Sequence, residues 1–279
     1  MNELIRLAAA RLSAAGLPSP EVDARLLLSH VLDVEPADLA TVRVVSPDEQ
    51  ARFECLVARR CNGVPLQHLT GVAYFRYEQL RVGPGVFVPR PETECLVQLV
   101  IDWLTARAVE RPVVVDLGTG SGAIALALAH ETRAKVYAVE ASHEAFAYAE
   151  QNLAGSGVDL RLGDWSDAFI DLDGTVDVVV SNPPYVPQAS RSELPRDVAD
   201  GDPDMALFAG DDDLDALRSL LPVAKRLLRP GGLLACEHDD SQGESAPELV
   251  TQAGFGAVAD HKDLAGRPRF VTAVQEWIG

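Results

Sequence analysis

Cysteine is scarce in this chain, and the four present (Cys55, Cys61, Cys95 and Cys236) form neither a CxxC pair nor a closely spaced set. That excludes a disulfide framework and reads as reduced, mostly buried thiols in a cytoplasmic protein. The six histidines fall in no HxxxH or HExxH spacing, so no catalytic metal is expected. GxSxG is missing, which removes support for Ser/His/Asp catalysis. No apolar run approaches the roughly 20 residues of a membrane span. At the N-terminus Glu3 and Arg6 come early and Arg11 interrupts the apolar stretch, a poor match to a signal peptide. Lysine occurs only at Lys135, Lys225 and Lys262, the other basic residues being arginine. With so much alanine alongside, this reflects genomic composition bias. Internal repeats and low-complexity segments are also lacking.

What is present suffices for a large folded protein. At 279 residues and 47% hydrophobic, the chain can bury a core for one large α/β domain and a smaller companion. The net charge of −18 repels phosphate backbones, so direct nucleic-acid binding is not expected. That charge suits either attraction to a basic protein partner or plain solubility.

Residues 1–73 read as a helical domain. Ser19-Pro20 places an N-cap and a first-turn proline before a helix reaching Leu32. Ser46-Pro47-Asp48-Glu49 is a capping box, and behind it Phe53, Leu56, Val57 and Cys61 share one face until Asn62-Gly63. This domain has no titratable cluster, so its expected role is recognition. Across 74–89 the period shortens: Leu80, Val82, Val86 and Val88 alternate around Gly83-Pro84-Gly85, predicting a β-hairpin linker. The third segment, 90–279, opens with a helix to about Leu104. It then alternates strands (113–117, 135–140, 158–162, 176–181, 232–237, about 255–260, 269–275) with helices such as 121–130, 142–153 and 214–228. Such alternation predicts a largely parallel sheet covered on both faces. Asp200-Gly201-Asp202-Pro203-Asp204 hints at a calcium loop, but Met205 replaces its glycine and Asp211 its final glutamate, leaving a solvated loop.

The strand 113–117 runs into Gly118-Thr119-Gly120-Ser121-Gly122, a turn that brings backbone N–H groups and a helix N-terminus against a ligand. Glu140 ends the next strand, where an acid accepts hydrogen bonds from the ribose hydroxyls of a nucleoside. With Ala123 the loop also satisfies GxGxxA, so NAD and S-adenosylmethionine both remain open at this point. Gly163-Asp164-Trp165 lies at the same sheet edge. There Asp164 suits an adenine amino group, and Trp165 suits either the adenine ring or ordinary core packing.

Asn182-Pro183-Pro184-Tyr185 follows the strand 176–181, at the end where open parallel sheets bind ligands. A specified tetrapeptide arises by chance about once in 10⁵ positions. Its chemistry suits methylation of an amide or aromatic amine, whose nitrogen lone pair is delocalised and which gains positive charge on transfer. The Asn182 side-chain oxygen and the Pro183 carbonyl can accept from that nitrogen's two hydrogens. Pro183 and Pro184 lack N–H groups and stiffen the turn, and Tyr185 can lie against a planar amide. The tetrapeptide decides for S-adenosylmethionine.

The chain here resembles the release-factor glutamine methyltransferases. The resemblance rests on this tetrapeptide and on Pro65-Leu66-Gln67-His68-Leu69-Thr70-Gly71, Val88-Pro89-Arg90-Pro91-Glu92-Thr93-Glu94, Asp116–Gly122, Gly163-Asp164-Trp165 and Glu237-His238 with Gln242. It implies a Rossmann-like class I S-adenosylmethionine-dependent methyltransferase fold. That fold has a seven-stranded, mostly parallel sheet and a small N-terminal helical domain. It also implies N5-methylation of the glutamine in the Gly-Gly-Gln loop of class I peptide chain release factors, with S-adenosyl-L-homocysteine as product. Gly118, Thr119, Gly120, Ser121, Gly122, Glu140, Asp164, Trp165 and Asn182 would then bind the cofactor. Asn182, Pro183, Pro184, Tyr185, Arg90 and Glu92 would bind the substrate, with Asn182, Pro183 and Tyr185 catalytic. A ribosomal-protein glutamine methyltransferase shares the tetrapeptide but not the Arg90–Glu94 segment, and an adenine-N6 methyltransferase would need a basic surface. Two departures stand out. Glu140 replaces the family's usual aspartate, and Ala209-Gly210-Asp211-Asp212-Asp213 replaces Gly-Gly-x-Asp-Gly.

Overall fold

The computed structural model describes residues 1–188, 190, 201–210 and 212–276. Residues 1–72 form one compact unit, and the described residues of 73–190 and 202–276 form another. Among the described residues, no helix is long and apolar enough to cross a membrane.

In the first unit α1 (Asn2–Ala14) buries Ile5, Ala8 and Leu12, a single helical stripe. Helix α2 (Pro20–Leu32) begins at its proline, whose fixed φ suits a first turn that also carries Glu21 and Asp23, but Ser19 makes no side-chain capping bond. The capping box before α3 (Pro47–Cys61) is formed in full. Glu49 N–H donates to Ser46 Oγ at 3.3 Å, and Ser46 N–H donates to Glu49 Oε2 at 2.7 Å. Phe53 and Val57 meet Leu12, Leu27 and Leu28 in the core, which the short α4 (Leu66–Thr70) completes with Leu69. A buried Asp23–Arg60 ion pair at 2.8 Å ties α2 to α3.

The hairpin lies earlier than its apolar alternation predicts. Strands β1 (Val72–Phe75) and β2 (Glu78–Arg81) turn at Arg76-Tyr77, upstream of Gly83-Pro84-Gly85. Leu80, Val82, Val86 and Val88 are all buried, so their alternation records burial and only Leu80 lies in a paired strand. Arg76 takes a left-handed backbone at φ 51°, a conformation an L-residue adopts at a cost. Its side chain shows what offsets that cost. The guanidinium donates to both oxygens of Glu131 (2.5 and 2.6 Å), to the Glu94 carbonyl and to Gln98.

Beyond the hairpin come α5 (Thr93–Arg107), β3 (Val113–Leu117), α6 (Ala123–Glu131), β4 (Lys135–Glu140), α7 (His143–Asn152), β5 (Asp159–Leu162) and β6 (Val176–Ser181). The short parallel pair β7 (Val186–Pro187) and β8 (Phe208–Gly210) precedes helix Asp215–Leu227, β9 (Leu228–Glu237), helix Ser245–Gln252, β10 (Gly256–Lys262) and β11 (Pro268–Val274). Seven strands form one sheet in the order β10-β11-β9-β6-β3-β4-β5. From β9 to β5 every pairing is parallel, and β11 alone runs against its neighbours β9 and β10. This is the class I methyltransferase sheet.

Both faces are buried, with the period of two a strand imposes. Val114, Val136, Val178 and Val180 pack against α5, α6 and α7, whereas Val115, Val139, Val179 and Leu234 pack against the helices Asp215–Leu227 and Ser245–Gln252. The strand order reverses beside β3, between β4 and β6, and it is at the carboxyl ends of strands at such a point that open parallel sheets bind ligands. Because the bidentate Arg76–Glu131 contact holds the hairpin to α6, Arg76→Ala is expected to cost about 1.5–3 kcal/mol. Urea unfolding would measure this, with the exposed neighbour Tyr77→Ala as the near-neutral comparison.

Candidate active site

Five parallel strands end at one sheet edge, bringing together the loop after β3, Glu140 at the end of β4, Asp164 after β5, Asn182 after β6 and Glu237 at the end of β9. The glycine loop is bound to β4: the N–H groups of Gly118 and Thr119 both donate to the Val139 carbonyl at 3.0 Å. Gly118, Gly120 and Gly122 all have positive φ (74°, 58° and 86°), the reason a side chain is disfavoured at each. Their surroundings differ. A methyl group on Gly122 would meet Leu153 at 3.0 Å and one on Gly118 would meet Trp165 at 3.3 Å, but one on Gly120 would project into open space. Gly122 also caps α6, so this helix begins at Ala123, two residues later than the sequence predicts.

Glu140 is 8% exposed and already committed to backbone. Its Oε2 accepts Gly120 N–H and its Oε1 accepts Ser142 N–H, both at 2.8 Å. It thus braces the loop from behind, and each oxygen keeps a further lone pair for a ligand hydroxyl. Burial raises its pKa, opposed by these amides. Thr119 Oγ1 donates to Asp116 Oδ2 at 2.6 Å, while the fully buried Asp116 Oδ1 has no partner. Desolvation pushes Asp116 up to about 7, with Glu140 adding to the rise. Asp164 is exposed and caps a 3-10 turn through Ser166 N–H, and Trp165 is half-buried against the sheet. Open space at Gly120, carboxylates behind the loop and an indole beside Gly118 fit a nucleoside carrying a sulfonium.

After β6, Asn182, Pro184 and Tyr185 are half-buried and Pro183 is buried. Two residues without an assigned role in the sequence reading join them. Asn182 Nδ2 donates to Thr93 Oγ1 at 3.3 Å, Thr93 Oγ1 donates to Glu237 Oε2 at 2.7 Å, and the Tyr185 hydroxyl donates to Glu237 Oε1 at 3.3 Å. Burial pushes Glu237 up to about 7, against the hydrogen bond from Thr93 and the charge of Arg269. Burial and the nearby Glu237 charge also raise the Tyr185 phenol, which therefore stays a neutral donor. Thr93 sits inside the quoted Arg90–Glu94 motif and Glu237 opens Glu237-His238, so the motifs signalled both residues without indicating that they touch.

Arg90 and Glu92 both precede Thr93 in sequence. Arg90 stacks on Phe87 and pairs with Asp202 at 2.5 Å, and Asp202 also accepts Val88 N–H. Asp202 is therefore a buried anchor, and the solvated-loop reading is corrected at this residue; Asp200 lies outside the described residues. Both His238 ring nitrogens are engaged, by the Asp239 carbonyl and the Asp260 carboxylate, which makes this histidine structural. Among the described residues no group of three His, Cys, Asp or Glu side chains is placed to hold a metal ion.

The contrast between the glycines yields a test. Gly120→Ala should weaken S-adenosylhomocysteine binding at least about tenfold, read by calorimetry, because its methyl enters the open cradle at a strain of about 1–2 kcal/mol. Gly122→Ala should instead lower thermal stability by crowding Leu153.

Comparison with known proteins agrees with this geometry. A family model described as the PrmC N-terminal domain matches residues 3–71, and one described as the methyltransferase small domain matches 79–196. The release factor glutamine methyltransferase of Streptomyces coelicolor is 52% identical over 265 residues, covering 94% of each chain. That of Mycolicibacterium smegmatis is 48% identical over 99% of this chain and 98% of its own. That of Deinococcus radiodurans is 43% identical over 98% of both. The chain belongs to the release factor glutamine methyltransferase family.

Proposed function

We propose that this protein transfers a methyl group from S-adenosylmethionine to the side-chain nitrogen of the glutamine in the Gly-Gly-Gln loop of class I peptide chain release factors. The observation that carries this reading is the hydrogen bond from Asn182 Nδ2 to Thr93, which leaves the Asn182 oxygen as the acceptor for a substrate amide. When bound, the sulfonium supplies an electrophilic methyl group. The chain's own residues answer for the nucleophile. The amide nitrogen is weakly nucleophilic because its lone pair is shared with the carbonyl, and it becomes cationic as its bond to the methyl carbon forms and the carbon–sulfur bond breaks. The Asn182 oxygen and Pro183 carbonyl accept from its two hydrogens more strongly as that charge grows. Tyr185, held by Glu237, provides a planar wall against the amide. The surplus proton then passes to water, so no strong base is required.

Glu140, the loop Gly118–Gly122 and Trp165 are assigned to the cofactor, with Asp164 at the adenine end. Arg90 acts through Asp202, holding the segment beside the substrate, and Glu92 borders the same edge. Residues 1–73 are assigned to recognising the body of the release factor, supported by the family match over 3–71. Four cysteines without disulfides suit a reducing cytoplasm.

Intact-mass analysis of a purified release factor incubated with the enzyme and S-adenosylmethionine should show the gain of one methyl, mapped to the loop glutamine. Asn182→Ala should lower turnover about 10²-fold or more, the usual loss for one preorganised charge-stabilising contact. Full turnover in that variant would overturn the mechanism, and methylation of no release factor would overturn the function.

A further inference from the structure

Asn182 can serve as an acceptor only if its amide is turned the right way, and a side-chain amide has two orientations of nearly identical shape. One side of this amide faces the Thr93 hydroxyl. A hydroxyl has a single proton, and the Thr93 proton is drawn to Glu237 Oε2 at 2.7 Å, an acceptor 1% exposed to solvent. The Thr93 oxygen is thereby left with lone pairs only. It receives the Asn182 NH₂ and repels the Asn182 oxygen.

We propose that Thr93 and Glu237 are positioning residues for methyl transfer, locking the Asn182 amide with its nitrogen inward and its oxygen toward the accepting nitrogen. This rests on the glutamine-methylation reading above. The same carboxylate takes the Tyr185 hydroxyl on its other oxygen, so Glu237 sets two of the residues that would touch the substrate. Thr93 begins α5 and Glu237 ends β9, 144 positions apart, so the lock depends on the two elements meeting.

The lock depends on the charge of Glu237. A protonated carboxyl donates as well as accepts, and the Thr93 hydroxyl is then free to turn toward Asn182, which removes the preference between the two amide orientations. Around Glu237 lie Arg269 at the start of β11, which favours the charged form, and Glu92 before α5, which disfavours it. The uncharged hydroxyls of Thr93 and Tyr185 also touch it, with the buried Cys236 beside it in sequence; burial and Glu237 hold this thiol protonated. Burial pushes the Glu237 carboxyl up to about 7, so kcat at saturating substrates should rise with pH through that value.

The test measures kcat, KM and S-adenosylhomocysteine affinity for the full chain and for Thr93→Val, Thr93→Ser and Glu237→Gln, from pH 6 to 8.5. Thr93→Val keeps the shape but not the hydroxyl. Its kcat should fall about 10- to 100-fold, the cost of a misplaced contact, with KM and calorimetric affinity changed less than about twofold. Thr93→Ser should restore kcat to within about threefold, because it restores the hydroxyl. Glu237→Gln, neutral at every pH, should lose the rise near pH 7. The Asn182 side-chain NH₂ resonance, assigned by its loss in Asn182→Ala, should shift in Thr93→Val without any substrate present. Normal kcat in Thr93→Val, equal loss in the Ser and Val variants, or an unmoved resonance would each overturn the lock. If Thr93→Val does not fold, a pH profile in Glu237→Gln identical to that of the unaltered enzyme overturns it. An unaltered enzyme that methylates no release factor defeats the functional reading instead, and the resonance still decides the lock.

Discussion

Parallel pairing of β3 with both β4 and β6 is the constraint on which the site depends. A parallel ladder places successive strands in the same direction, so whatever follows each strand arrives at one edge. The register Val114↔Val136 and Val114↔Val178 keeps the three strands level. The glycine loop, Glu140 and Asn182 consequently lie at one sheet edge although 22 and 64 positions separate Gly118 from the latter two. The antiparallel β11 adds what a parallel strand cannot. It starts at this edge, so Phe270 lies opposite Glu237 and Arg269 stands beside the buried carboxylate.

The edge is also where the chain departs from what folding alone favours. Asp116 and Glu237 are fully buried carboxylates held near about 7, and Glu140 is raised as well. A carboxylate whose folded pKa exceeds its unfolded one supports the fold below the ordinary carboxylate range and loses that support as pH rises through about 7. At neutral pH these acids therefore oppose the fold. Valine or leucine would pack better, as they do one residue away in β3. On the proposed function, what the acids would offer is negative charge, growing as pH rises through about 7, near the cofactor's sulfonium and the nitrogen on which positive charge develops. Backbone amides and the Thr93 and Thr119 hydroxyls, already oriented by strand ends and helix starts, reduce the cost of holding it there.

The sequence disclosed the strands well because the core strands are continuous apolar runs bounded by glycine or charge. Val113–Leu117, Lys135–Glu140 and Val176–Ser181 fall where apolar continuity puts them. It disclosed the ends of α6 and the place of the hairpin less well, since both follow from backbone conformation. Gly122 caps a helix that composition would start earlier, and Arg76 adopts a left-handed turn that only its contacts with Glu131, Glu94 and Gln98 make tolerable. Short motifs singled out positions that the fold brings to one sheet edge. The link between Thr93 and Glu237 joins two motifs remote in sequence, and no periodicity encodes a contact of that kind. Asp202 was misread for a related reason: an acidic, proline-containing stretch looks solvated until Arg90 is found against it.

Glu140 stands where the resemblance implies an aspartate. An aspartate at this position would be shorter by one methylene, about 1.5 Å. The longer side chain spans Gly120 N–H and Ser142 N–H with one oxygen each, joining the glycine loop to the turn that opens α7. Both contacts fix backbone that would otherwise be free to move around the only one of the three loop glycines whose missing side chain faces open space. The extra methylene therefore trades reach toward a ligand for rigidity of the cradle. Since each oxygen still has a lone pair to offer, a ribose can be bound by a carboxylate that the loop has already oriented. Two backbone amides thus hold the Glu140 carboxylate in place at the end of β4.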